Sequence, residues 1–306
     1  MKCKKTMKNL NFWLDSLDIN FKIMREYSLT PITPAIGAEI SGIDLSLALS
    51  QTQLDQIYQD LIDHNVIFFR DQNISPQNHI ALANSFGEIE PPHPVYPHVE
   101  GFPEIVLLEN DSNNPPDTDV WHTDVTFKSD PPFTTILYSK IIPPTGGDTL
   151  WCSLSAIYES LPNDMKKYLE SLRAVHDMGD FRNNFINEDN IESAHKLNEG
   201  YKKFGNAVHP VIKKHPITNK KLLYINPGFT SQIVGMNMTD SNNLLSYLFN
   251  FMNKPEFQLR FKWSANTVAI WDNRCTMHYA IGDYMPHHRQ MNRITVLNDK
   301  RDDRIT

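Results

Sequence analysis

Cysteine is scarce in this chain: Cys3, Cys152 and Cys275 are the full complement of its 306 residues. Three thiols, odd in number, far apart and without a Cys-x-x-Cys, exclude both a disulfide framework and a zinc-thiolate site. A reducing cytoplasm is the expected compartment. No apolar run approaches the roughly 18 residues needed to span a bilayer, and residues 1–24 lack the continuous apolar stretch of a secretory signal, so no membrane is expected. Gly-x-Gly-x-x-Gly and Walker loops are also missing, which leaves a nucleotide cofactor without support. Positive charge is in short supply as well. The 29 Lys and Arg stand against 36 Asp and Glu, a net charge of -7, and nucleic acids are normally met by a basic face. The same balance gives an anionic small substrate no long-range steering, so local arginines must hold any such ligand.

What the chain does have is ample core material, with hydrophobics at 40% and aromatics at 10%. Residues 1–26 are Lys- and Asn-rich and read as a disordered extension or a start placed too early, with Met24 as the true start. Residues 27–306 are expected to form one domain, since no repeat, linker or low-complexity tract divides them. Ser50 with Gln53 is a capping-box signature ahead of Leu54, Ile57, Tyr58, Leu61 and Ile62 at helical spacing. Ser75-Pro76 is a second helix start, with Gly87 as its stop. Further helical patterns lie near 154–172 and 240–253. Strands are predicted at Glu104 to Leu108, Val120 to Phe127, Thr134 to Ile142, Ala207 to Lys213, Leu222 to Ile225, Phe257 to Trp263, Thr267 to Trp271 and Arg293 to Leu297. Many short strands with helices gathered at the start and in two insertions predict a mainly β fold with helical decoration, a sandwich or jelly roll.

One short motif carries chemistry. If Trp121-His122-Thr123-Asp124 is a strand, the i, i+2 spacing puts His122 and Asp124 on one face. A returning strand could then add His278 from Trp271-Asp272-Asn273-Arg274-Cys275-Thr276-Met277-His278. Two histidines and one carboxylate suit non-haem Fe(II). The tripeptide alone is weak, because chance supplies roughly one His-x-Asp in a chain with this composition. Taken singly, a histidine in a β-rich core is a packing residue, which is the reading for His64, His79, His176, His195, His209, His215, His287 and His288. Trp121, Trp151 and Trp271 read as core aromatics.

The surroundings of the motif are specific. His-x-Asp follows a tryptophan, Gly146-Gly147-Asp148-Thr149-Leu150-Trp151 comes next, and Trp271-Asp272-Asn273-Arg274 runs through His278-Tyr279-Ala280 to Arg289-x-x-x-Arg293. From about Tyr27 to Lys300 the chain resembles the taurine dioxygenase family of Fe(II)- and 2-oxoglutarate-dependent oxygenases, with His93-Pro94-Val95-Tyr96-Pro97-His98 as a narrower match. The resemblance implies a double-stranded β-helix of the jelly-roll, cupin-like kind. It implies that His122, Asp124 and His278 are the catalytic metal site and hold Fe(II), with 2-oxoglutarate and O2 as cosubstrates. Arg289, helped by Thr149, would bind the distal carboxylate of 2-oxoglutarate. Arg293, nearer the metal, would serve the cosubstrate pocket and grip a substrate sulfonate. His93 would be a second sulfonate donor, with Tyr96, Thr118, Val125, Asn184, Phe185 and Phe229 around the substrate.

The implied reaction is hydroxylation of taurine beside its sulfonate, releasing sulfite and aminoacetaldehyde with succinate and CO2. Thr118 stands where the family's taurine enzyme carries an asparagine that meets the substrate amine, and its single hydroxyl has a shorter reach than an amide. Pro227 is a second departure. Another sulfonate, an alkyl sulfate ester or an aryloxy acid therefore stays open, as does a non-catalytic sensor of metal or 2-oxoglutarate. A zinc hydrolase would use overlapping ligand types but leaves Arg289, Arg293 and Thr149 without a task. A small-molecule sulfonate is the expected partner, and a homo-oligomer the expected assembly.

Overall fold

The computed structural model describes residues 25–93, 96–116, 120–179 and 205–302. The expected extension at 1–26 lies outside them, apart from its last two residues.

Two capped helices form where the sequence signals them. At the start of α1 (Gln51–His64), the Ser50 hydroxyl accepts from the Gln53 amide, and the Gln53 side chain accepts from the Ser50 N–H. Ser75 and Asn78 repeat the device for α2 (Pro76–Phe86), with Pro76 in its first turn. Ile57, Leu61, Leu82 and Phe86 of these helices share a core with Ile67, Ile136, Ile270 and Ile294 on one face of the main sheet.

That sheet has the order β1 (Ser28–Pro31), β2 (Ala38–Ser41), β3 (Val66–Phe69), β14 (Val268–Asp272), β6 (Thr134–Ile141), β16 (Arg289–Val296), β5 (Phe102–Asn110) and β4 (His98–Val99). Its pairs are antiparallel except β2 with β3. A three-stranded sheet, β13 (Gln258–Phe261), β7 (Thr149–Ser153) and β15 (Thr276–Ala280), faces its other side. Between the sheets Phe68 stacks on Phe261 with ring centroids 3.8 Å apart, and Trp151 meets Phe68, Trp263 and Trp271. The facing sheets make the jelly roll that the sequence implies, mainly β with helices outside. Along β16, Ile294 and Val296 join the helix-side core while Met291 joins the inter-sheet core. Strand alternation therefore sends Arg289 and Arg293 inward with Met291.

A second body of helices and short strands closes the far end. Strands β8 (Arg173–His176), β9 (Ala207–Pro210), β10 (Ile212–Lys214), β11 (Lys221–Leu223) and β12 (Thr230–Ile233) pack with α3 (Leu154–Ser160), α4 (Asn163–Glu170) and α5 (Met238–Met252). Ile157, Leu169, Leu222 and Leu248 are buried there. Among the described residues no helix is long and apolar enough to cross a membrane.

Four expectations need correction. The strand predicted at Val120 to Phe127 does not form: His122 makes an isolated bridge to His278, and the chain from Asp124 to Phe127 turns, with Val125 at φ 43°. The turn is fastened from outside, because the Thr123 hydroxyl donates to the Thr276 carbonyl at 2.7 Å. The strand predicted from Arg293 begins at Arg289, because β5 and β6 pair with its early residues. Ala207 to Lys213 breaks into two strands after Pro210, which has no N–H for a ladder. The helix near 154–172 is likewise two helices, divided at Pro162.

Candidate metal centre and cosubstrate pocket

His122 and His278 are brought together by the backbone. The His122 amide donates to the His278 carbonyl at 3.0 Å, and the His278 amide donates back at 2.7 Å. Their rings lie 4.2 Å apart between centroids. Asp124 reaches the same point by the turn, not by the strand alternation expected. Its Oδ1 lies 3.9 Å from His122 Nε2 and 3.8 Å from His278 Nε2. These gaps are too long for hydrogen bonds. They remain within the span of two ligands each about 2.1 Å from one ion, whose separation cannot exceed about 4.2 Å.

The donor chemistry fits a metal as well. His122 Nδ1 is 2.8 Å from the Val120 carbonyl, so that nitrogen carries the proton and Nε2 keeps its lone pair. Asp124 Oδ2 accepts from the Thr135 hydroxyl at 2.6 Å. Burial pushes the Asp124 carboxyl up, but His278, Arg293, His122 and the Thr135 hydrogen bond hold it at about 2. Burial, with His122 and Arg293, lowers His278 to about 3 against the pull of Asp124. At neutral pH the pair is thus an ionised carboxylate beside a neutral imidazole. His278 Nδ1 is buried without a partner; its ring is held by the backbone bridge and by Trp271, 4.9 Å away.

His122 and His278 open onto a cavity of about 520 Å³, lined also by Tyr96, Thr149, Arg289 and Arg293. Arg289 is 7% exposed, yet neither it nor Arg293 forms an ion pair among the described residues, and the Nε of each is buried without a partner. Burial pushes the Arg289 guanidinium down, with Tyr284 opposing. A buried, unpaired arginine is costly unless an anion meets it. Gly147, at φ 69°, makes room for Arg289: a Cβ there would come within 3.3 Å of its Cδ. The Thr149 hydroxyl accepts from Trp263 Nε1 at 3.0 Å, which leaves its own proton free to turn toward the cavity.

On the metal's other flank, Phe229 stands edge-on to His122 at 6.0 Å and forms an apolar cluster with Phe127, Met178, Tyr96 and Val125. The His93 ring lies tilted against Tyr96, with centroids 4.7 Å apart. Burial, with Arg293, Lys128 and His98 nearby, drops the His93 imidazole to about 3. The expected set therefore converges for His93, Tyr96, Val125, Phe229 and Arg293, while Thr118, Asn184 and Phe185 lie outside the described residues. Sequence reasoning missed Phe127, Met178, Thr135 and Asn273. It also read Trp271 as core alone, whereas it lines the cavity too. Asn273 had a visible signal in Trp271-Asp272-Asn273; Met178 had none.

The family described as "Taurine catabolism dioxygenase TauD, TfdA family" matches residues 28–295. An "Alkylsulfatase" of Acinetobacter baylyi is 37% identical over 280 residues, covering 90% of this chain and 86% of the relative. An "Alpha-ketoglutarate-dependent sulfate ester dioxygenase" of Pseudomonas putida is 36% identical over 279 residues, 90% of each chain. The crystal structure of a taurine dioxygenase from Burkholderia xenovorans superposes with a TM-score of 0.76 at 34% identity, over 90% of both chains.

Proposed function

The chain belongs to the taurine catabolism dioxygenase TauD, TfdA family, and from that membership we propose an enzyme that oxidises the carbon next to an anionic sulfur group. It is a 2-oxoglutarate-dependent dioxygenase using Fe(II), 2-oxoglutarate and O2. In our reading His122, Asp124 and His278 hold the iron, Arg289 with Thr149 receives the distal carboxylate of 2-oxoglutarate, and Arg293 with His93 receives the substrate oxyanion. The observation that carries this reading is that Arg289, buried, and Arg293, half-buried, line the same cavity as His122 and His278, with no ion pair to either among the described residues and the Nε of each buried without a partner. A planar guanidinium pairs bidentately with a carboxylate or a sulfur oxyanion, which a lysine cannot do.

Bound iron supplies the redox chemistry that couples oxidation of 2-oxoglutarate to succinate and CO2 with hydroxylation of a substrate C–H bond. The chain's own residues do the rest. Arg289 and Arg293 fix the two anions at separate ends of the cavity, so the target carbon is held beside the triad. Phe229, Phe127, Met178 and Val125 keep water from that carbon. Hydroxylation of R–CH2–O–SO3⁻ gives a hemiacetal sulfate that collapses to an aldehyde and sulfate; R–CH2–SO3⁻ gives an aldehyde and sulfite in the same way.

Within this class we favour an alkyl sulfate ester or alkyl sulfonate. Among the described residues the wall beside His93 and His122 is apolar, which suits an alkyl chain at roughly 25 cal/mol per Å² buried and offers the ammonium of taurine no carboxylate. Two relatives named for alkyl sulfate or sulfate ester chemistry support the same choice. Taurine, which the sequence resemblance implies, is the narrower alternative. The test is oxygen uptake with Fe(II), 2-oxoglutarate and one of four substrates: a medium-chain alkyl sulfate, an alkanesulfonate, taurine and an aryloxyacetic acid. We expect uptake only with all components present, succinate in step with it, and sulfate or sulfite from the alkyl compounds. Fastest turnover on taurine would reverse the preference, and turnover of the aryloxy acid alone would sink the sulfur class.

A further inference from the structure

The carboxylate of Asp124 is not free to choose how it meets a metal. Its Oδ2 accepts from the Thr135 hydroxyl at 2.6 Å, Thr135 Oγ1 accepts from Asn273 Nδ2 at 3.0 Å, and Asn273 Oδ1 accepts from Trp271 Nε1 at 2.9 Å. All four side chains are buried, with Thr135 at 0% and Asn273 at 1% exposure. The chain has one direction. An indole nitrogen can only donate, so the Asn273 oxygen must face Trp271 and its amide nitrogen must face Thr135. The Thr135 oxygen is then already an acceptor of that bond, and its single proton goes to Asp124 Oδ2. Oδ1 is left facing the two imidazoles.

The scaffold holding this relay is rigid. Thr135 on β6 lies directly opposite Trp271 on β14. The Thr134 hydroxyl donates to the Trp271 carbonyl at 2.6 Å, and the Asn273 amide donates to the Phe133 carbonyl at 2.9 Å. Trp271 also borders the His278 ring, so one indole touches one histidine of the triad and orients its carboxylate through two intermediates.

We propose that Thr135, oriented by Asn273 and Trp271, is a positioning residue that restricts Asp124 to one ligand oxygen. The inference rests on the metal-site reading above. With Oδ2 occupied, the carboxylate takes one coordination position instead of two, and the position it would have closed stays open for a chelating cosubstrate and O2.

The test uses the full chain and Co(II) alone, titrated by calorimetry, with metal-free thermal midpoints recorded beside it. Thr135→Val removes the hydroxyl at nearly constant shape; Thr135→Ser retains it. Asn273→Asp keeps the outline but offers Thr135 an acceptor, drawing its proton away from Asp124. Thr135→Val and Asn273→Asp are expected to weaken Co(II) binding 10- to 100-fold, while Thr135→Ser stays within about threefold. A parent-like affinity in Thr135→Val overturns the proposal, as does a loss in Thr135→Ser equal to that in Thr135→Val, which would assign the effect to packing. Asp124→Ala separates the two readings. If it binds Co(II) like the parent, the metal site itself is wrong and the proposal falls with it. If only Asp124→Ala loses binding, the site stands and the positioning role alone fails.

Discussion

His122 and His278 exchange both of their backbone hydrogen bonds, at 3.0 and 2.7 Å, although His122 belongs to no strand and meets β15 at this one bridge. The bridge sets the separation of two imidazoles before either side chain chooses a rotamer. Asp124 then arrives through a turn that carries Val125 at φ 43°, a conformation a β-branched residue adopts only under constraint. The three groups meet because separate segments are each fastened to the sheets, not because one strand displays them in a row.

Gly228 lies against this bridge. Its amide donates to the Trp121 carbonyl at 3.0 Å, and a Cβ built there would sit 3.0 Å from His122 Cβ. Gly228→Ala should push His122 off its bridge and lower metal affinity by roughly tenfold, with a fall in the metal-free thermal midpoint of only a few degrees. Calorimetric titration with Co(II) checks the first and a melting curve the second; unchanged affinity would mean that the neighbouring loop yields instead.

Arg289→Ala should raise the 2-oxoglutarate concentration needed for half-maximal turnover by roughly 10- to 100-fold, as expected for a charged hydrogen bond of about 1.5–3 kcal/mol. Arg289→Lys should recover only part of it, because an ammonium cannot make the bidentate contact. Steady-state rates with 2-oxoglutarate varied check both. A requirement equal to the parent's would remove Arg289 from the cosubstrate site. The variant should not unfold, since truncation relieves a buried cation that has no ion pair among the described residues and whose Nε is without a partner.

Acid should destabilise the fold well above the carboxylate range. Burial lowers His79 to about 4 and His176 to about 3, against roughly 6.5 in an unfolded chain. Below that value the unfolded state takes up protons that the folded state refuses. Stability contributed by the neutral rings is complete above about pH 6.5 and is lost as pH falls toward their folded values. For His79 the loss amounts to roughly 3 kcal/mol by pH 4. Urea midpoints from pH 8 to 4 should decline across this window, and His79→Gln should flatten the decline while starting lower. A flat parent profile between pH 6.5 and 4.5 would contradict it.

Much of the fold was legible because local signals agreed with it. The capping box at Ser50 and the Ser75-Pro76 start mark their helices, and the Arg289-x-x-x-Arg293 spacing becomes two inward positions on β16. The site residues were legible through the motif and its surroundings, yet the geometry imagined for them was wrong in one respect. His122-Thr123-Asp124 looks like a strand because valine, threonine and tryptophan favour strands. What overrides that preference is non-local: the Thr123 bond to Thr276 and the Thr135 bond to Asp124. The first pair lies 153 residues apart, and the second, 11 apart, meets only because the chain turns after Asp124 and returns in β6. The same holds for Met178, which reaches Phe229 only through tertiary packing.

The turn that delivers His278 is held by charge. Asp272 is fully buried and accepts from three Arg274 donor groups: its backbone amide, Nε and Nη2. It also accepts from His215 Nε2 at 3.0 Å, while Arg274 reaches on to Asp299 at 2.8 Å. His215, Asp272 and Cys275 are close enough to suggest a second metal group, but their hydrogen bonds argue otherwise. His215 Nδ1 accepts from the Ile217 and Thr218 amides, and the Cys275 thiol donates toward Asn65. Burial drives that thiol well above its ordinary value, so it offers no thiolate. Asp272→Asn keeps the shape but leaves Arg274 with Asp299 as its remaining carboxylate partner, and should cost about 3–5 kcal/mol in urea denaturation. The parent carboxylate lies far below its ordinary range: burial pushes it up, and Arg274 and His215 more than offset this. Its contribution is therefore present above about pH 4 and lost in stronger acid, so the gap between parent and variant should narrow as pH falls through that range. A gap that persists unchanged at pH 2.5 would mean that the loss comes from packing and not from charge.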